Sequence, residues 1–175
     1  MLSEKLEKAL NAQINAEFWS AYLYLSMSAY CAAEGYAGFA NWYNVQFKEE
    51  QDHALILTNY VLSRGGKVSL AAIDSVKTSW GSLLETMEDT LKHERKVTAM
   101  LNELYAVAAE EKDFATVNAL QWFIDEQVEE EETAQSWIDK LKMVGKDGTG
   151  LYMIDNEVAT RTYTQAAPLA GKLLK

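Results

Sequence analysis

Of 175 residues only one is proline, Pro168, so nothing upstream of it locks φ or removes a backbone donor from a helix. Nine glycines fall mostly in a few clusters, and the stretches between them run long without a helix breaker. That pattern favours an all-α chain. Cysteine is nearly absent: Cys31 alone excludes an intramolecular disulfide and a CxxC metal knuckle. Basic residues are scarce as well, 16 Lys and Arg against 26 Asp and Glu, for a net charge of −10. Such a surface repels nucleic acid and anionic membrane and attracts cations, and no basic stripe interrupts it. No apolar run is long enough to cross a bilayer, and Met1-Leu2-Ser3-Glu4-Lys5 lacks the apolar core of a secretory leader. What is present, 49% hydrophobic and 24% charged residues, is the balance of a folded globular chain of one domain. The expected compartment is the cytoplasm, with neither nucleic acid nor membrane as a partner.

Glycine and capping residues divide the chain into five segments. Ser3 caps a predicted helix to about Ala33, stopped by Gly35 and Gly38. A second runs from about Phe39 to Ser63, ending at Gly65-Gly66. A third spans roughly Ser82 to Lys112, and Asp113 caps a fourth that reaches Val144 before Gly145. A short amphipathic piece follows Gly148 and Gly150, from Leu151 to about Thr160. The first and last pairs of long helices are joined by a few residues and should lie antiparallel. Helices two and three are separated by residues 65–79, which reach roughly 50 Å when extended. The second helix measures only about 38 Å, so this connection can run the length of a bundle. One long crossover is the ferritin-like topology; an irregular surface loop would read similarly.

Heptad counting predicts the buried stripe of each helix. Helix one presents Gln13, Glu17, Ser20 and Tyr24 between leucines and Cys31. Helix two presents Tyr43, Gln46, Glu50, His53, Leu57 and Tyr60. Helix three presents Thr90, Glu94 and Val97, and helix four Phe123, Gln127, Glu130, Ala134, Trp137 and Val144. Each stripe is mainly apolar and carries one glutamate, close to the midpoint of its helix. Midpoints stay level whichever way helices run, so the four carboxylates are expected in one layer, with His53 one turn from Glu50. Burying four like charges costs several kcal/mol per ion, which protonation or bound cations must relieve. Two divalent ions balance four glutamates, and mixed carboxylate and imidazole ligation suits iron or manganese better than structural zinc. A lone Glu-x-x-His arises often by chance. Four level seam glutamates beside a histidine are much harder to assign to chance.

These residues resemble a known family. Glu17 with Tyr24, Glu50-Gln51-Asp52-His53, Glu94 and Gln127-Val128-Glu129-Glu130 are similar to the pattern of the bacterial non-haem ferritins. The likeness continues through Gly148-Thr149-Gly150-Leu151-Tyr152-Met153-Ile154-Asp155, the entry into that family's short fifth helix. It implies a ferritin-like four-helix bundle with one long crossover over residues 1–161, followed by a tail, 162–175, that matches nothing usable. It also implies a homo-oligomeric cage of 24 subunits that stores ferric mineral, with a di-iron ferroxidase centre in each subunit fed by Fe²⁺ and O₂ or H₂O₂. Glu17, Glu50 and His53 match ligands of the first iron; Glu50, as a bridge, Glu94 and Glu130 match ligands of the second. Gln127 matches a residue beside the centre and Tyr24 one hydrogen-bonding at its edge, though Tyr24 is also a plain core aromatic. Glu49, Glu126 and Glu129, with Glu130, match a third iron site, against which the run Glu129 to Glu132 also reads as a solvated face. A haem-ligating methionine would fall at Gln51, and the second Glu-x-x-His of bacterioferritins is missing, so no haem is expected. The rival readings are a non-catalytic ferritin-like shell and a di-iron oxygenase.

Overall fold

The computed structural model describes residues 1–170; residues 171–175, the end of the predicted tail, lie outside the described residues. Five helices follow in order: α1 (Glu4–Ala33), α2 (Ala37–Ser63), α3 (Leu83–Glu110), α4 (Phe114–Val144) and α5 (Gly148–Val158). Among the described residues no strand forms, and no helix is long and apolar enough to cross a membrane. The described residues divide into two compact units, residues 1–79 with those from 152 onward, and residues 80–151.

In the first unit α1 and α2 pack together as a helical hairpin. The hydroxyl of Ser3 accepts from Leu6 N–H at 3.1 Å and caps α1. Gly35 (φ +87°) ends that helix, with Tyr36 N–H bonded to Cys31 O, and Gly65 (φ +73°) ends α2 with Gly66 N–H bonded to Val61 O. Both positions demand the left-handed backbone that glycine adopts without strain.

The connection after α2 is extended and pinned to α1. Lys67 N–H donates to Glu7, Asn11 bonds Lys67 O and Ser69 N–H, and the Ser26 hydroxyl donates to Lys77 O. From Asn11 to Ser26 a helix rises roughly 22 Å, and the eight residues from Ser69 to Lys77 extend about 26 Å. The crossover therefore lies straight along α1, as its length predicts.

α5 and the segment after it return to α2. No side chain in the turn caps α2, because its N-cap is Tyr36. The carboxylate of Asp155 does so from a distance, accepting from Gly38 N–H and Phe39 N–H, each at 3.0 Å. A Cβ at Gly38 would collide with the Asp155 backbone, which is why the close approach needs glycine there.

The second unit holds the α3–α4 hairpin. Ser82 caps α3 through Glu85 N–H and Asp113 caps α4 through Thr116 N–H. Its turn has the geometry of the first hairpin, Asp113 N–H to Ala108 O, but the left-handed residue is Lys112 (φ +57°). The start of α5 differs from its predicted place. Gly148 and Gly150 lie inside the helix, because the Asp147 carboxylate accepts from Thr149 N–H and Gly150 N–H and starts the turn three residues early.

The predicted stripes are buried with few exceptions. Tyr60, Trp137 and Val144 are half-buried, and Ile138 is buried in α4 where Trp137 is predicted. An α-helix turns 3.6 residues, so strict heptad counting drifts toward the helix ends. Trp137 instead lies beneath the Lys140 ammonium, 4.3 Å from its ring centroid.

Candidate metal centre

α1 and α2 bring three donor groups together deep in the first unit. One ligand atom from each of Glu17, Glu50 and His53 lies within 4.8 Å of the others, and all three residues are buried. Glu17 comes from the middle of α1; Glu50 and His53 stand one turn apart on α2, His53 Nδ1 lying 3.4 Å from Glu50 Oε2. Gln13, one turn before Glu17, donates from Nε2 to Glu17 Oε1 at 2.8 Å. Glu17 Oε2 has no donor among the described residues.

Electrostatics registers the crowding. Burial, and next the neighbouring Glu50 charge, push the Glu17 carboxyl from 4.5 up to about 8, against the lowering effects of His53 and Gln13. Without a cation, Glu17 therefore retains a proton at neutral pH. Once a cation displaces the protons, two carboxylates and an imidazole form a donor set for a borderline or hard cation such as iron. Tyr24 stacks on Tyr43 at 6.0 Å in the same α1–α2 core, with neither ring exposed.

The second unit has a different arrangement. Glu94 of α3 and Gln127 of α4 are both buried, and Gln127 Nε2 donates to Glu94 Oε2 at 3.1 Å and to Glu94 O at 3.2 Å. Thr98 joins them, its hydroxyl donating to Glu131 at 2.6 Å. Glu130 is buried on the same stripe of α4, Glu126 is half-buried and Glu129 is exposed. Glu49, on the first unit, is bound to Arg161 at 2.6 Å. The sequence reveals neither the pairing of Arg161 with Glu49 nor that of Asp52 with Tyr163, since these partners lie more than a hundred residues apart.

Comparison with known proteins places this architecture. The ferritin family, described by its ferritin-like domain, matches residues 7–144. The chain is 47% identical over 161 residues to a bacterial non-heme ferritin of Bacteroides fragilis, covering 92% of this chain and all of the relative. It is 41% identical over 165 residues to one from Staphylococcus aureus, covering 94% of this chain and 99% of the relative. The chain belongs to the ferritin family. Among solved structures, a closed form of the Archaeoglobus fulgidus ferritin superimposes with a TM-score of 0.92 at 46% identity, covering 94% of this chain and 100% of that one. A humanized archaeal ferritin gives 0.93 at 45% identity, covering 94% and 99%. The fold class of this ferritin, all-α with a long crossover and a short fifth helix, is thus the expected one, and its role is iron storage.

Proposed function

We propose that this ferritin oxidises the iron it stores, at a di-iron ferroxidase centre within each subunit. The observation that carries the reading is the buried cluster of Glu17, Glu50 and His53, whose raised Glu17 pKa marks a place where a cation replaces a proton. These three hold the first Fe²⁺. Glu50 bridges to a second, for which Glu94 and Glu130 are the ligands on family grounds; Gln127 orients Glu94, and Tyr24 bonds at the edge of the centre. Each Fe²⁺ gives up one electron. O₂ takes the pair with two protons and leaves as H₂O₂, or H₂O₂ takes it with two protons and leaves as two waters. The protein supplies hard oxygen donors that favour the ferric state and surrounds the ligands with apolar side chains. Ferric product then passes to the mineral in a cytoplasmic, homo-oligomeric cage of 24 subunits. Glu49, Glu126 and Glu129, with Glu130, form a third iron position, and no haem takes part.

The test is the initial rate of aerobic Fe²⁺ oxidation by Glu17→Ala and Glu50→Ala, each first shown to assemble like the parent by gel filtration. Loss of the fast phase in both supports the reading; parental rates in both overturn it.

A further inference from the structure

The segment that follows α5 is fastened to α2 by specific polar contacts, and they cluster beside the metal ligands. The Tyr163 hydroxyl donates to both oxygens of Asp52, at 3.1 and 2.9 Å, and Ala166 N–H donates to Asp52 Oδ2 at 2.8 Å. Asn41 Nδ2 donates to Arg161 O at 2.9 Å. The Arg161 guanidinium lies 4.8 Å from the centroid of the Trp42 ring, and its Nη2 donates to Glu49 Oε2 at 2.6 Å. Asp52 precedes His53 and Glu49 precedes Glu50. Both neighbours of the α2 ligands are thus engaged by the same short stretch of chain.

Glu49, Glu50 and Asp52 put three acids within four positions of one helix, and something positive must answer them. At Glu49 that charge is Arg161. Its side chain and that of Glu49 are only 26% and 23% exposed, so the pair is shielded from the screening that makes surface ion pairs weak. The chain delivers the guanidinium to this spot through an anchored backbone and an aromatic platform, which removes much of the freedom a surface arginine would lose on pairing. The fit is incomplete, though. Nη1 is buried and has no acceptor among the described residues, a cost that moving the guanidinium into water would remove. A counter-ion held firmly on one edge and unsatisfied on another is one that a competing cation can displace.

We infer that Arg161 is a built-in counter-cation that withholds Glu49 from metal, and that a cation taken up at Glu49 releases Arg161 and loosens the segment 161–166. This rests on the reading of Glu49 as a third-site ligand and adds its regulation: metal occupancy and docking of the segment exclude each other. By linkage, each weakens the other by the same factor.

Redox-inert Zn²⁺ titrated calorimetrically into the assembled, full-length protein tests this. Arg161→Gln should bind one Zn²⁺ per subunit about tenfold more tightly than the parent. Arg161→Lys should lie between the two, and the gain should vanish in the Arg161→Gln/Glu49→Gln double variant. In the parent protein, saturating Zn²⁺ should speed amide hydrogen exchange in residues 161–166, including the Ala166 amide, by about fivefold. An Arg161→Gln titration that overlays the parent's, a gain that survives Glu49→Gln, or exchange indifferent to Zn²⁺ would each overturn the inference. A Glu17→Ala control separates the two levels. If it leaves Zn²⁺ binding unaltered, the proposed centre itself fails; if it abolishes the tightest site while Arg161→Gln changes nothing, only the counter-cation fails.

Discussion

The two hairpins of this ferritin each bury a glutamate that accepts a glutamine amide, and they differ in what else surrounds it. In α1–α2, Glu17 shares its pocket with Glu50, keeps an oxygen without a donor, and is driven toward protonation. In α3–α4, Glu94 receives the Gln127 amide on one carboxylate oxygen, from the facing helix rather than its own. The first arrangement is unfavourable until a cation enters. In the second, a cation must compete with an existing hydrogen bond across the hairpin. The difference predicts unequal sites, one tight and one weak, on two structurally similar hairpins.

The largest effect expected from breaking that contrast is on chemistry. Glu17→Ala should slow initial aerobic Fe²⁺ oxidation by about 100-fold or more, since it deletes a direct ligand where loss of a supporting group alone costs 10–100-fold. Stopped-flow absorbance at the onset of ferric formation reads this directly. Glu94→Ala should slow oxidation by roughly tenfold or more, yet leave the first Zn²⁺ bound with an affinity within about twofold of the parent's. Equal loss of first-site affinity in both variants would erase the proposed asymmetry.

Next in size is a pH effect of Glu17 on the α1–α2 side. Glu17 is raised from 4.5 to about 8 in the metal-free fold, so the native state holds a proton that the unfolded chain has lost across that window. The stabilisation is present in full below 4.5 and is lost as pH rises through about 8. His93, which burial lowers from 6.5 to about 4, titrates with the opposite sign and offsets Glu17 below 6.5. Urea midpoints of metal-free protein should therefore fall between 6.5 and about 8, and Glu17→Gln should flatten that decline. Smallest is the turn contrast. The left-handed residue is Gly35 in the first hairpin and Lys112 in the second, so Lys112→Gly should raise stability by about 0.5 kcal/mol, measured as a shift in the urea midpoint.

Much of this molecule is readable from short-range pattern. Ser3, Ser82 and Asp113 announce helix starts because capping is a matter of three residues, and the stripes holding Glu17, Glu50, Glu94 and Glu130 follow from helical period alone. His53 beside Glu50 needs nothing more than an i,i+3 spacing. Readability fails where a residue's partner is distant. Nothing near Tyr36 reveals that Asp155 caps α2, and nothing near Glu49 reveals Arg161. The early start of α5 was hidden for a milder reason: Gly148 and Gly150 look like breakers, and only the aim of the Asp147 carboxylate turns them into a first helical turn. Trp137 was placed inward by a heptad count that drifts toward the end of a 31-residue helix.

The cap on α2 also has a consequence in time. The amides of Gly38 and Phe39 receive their acceptor from Asp155, which is 116 residues later than Phe39. On a ribosome adding about 5–20 residues per second, that interval is roughly 6–23 s. Throughout it, the helix carrying Glu50 and His53 has an open first turn, and α5 closes it only afterwards. Nascent subunits should thus acquire their finished α2 only after α5 has been made, which postpones metal capture at Glu50 and His53 until then.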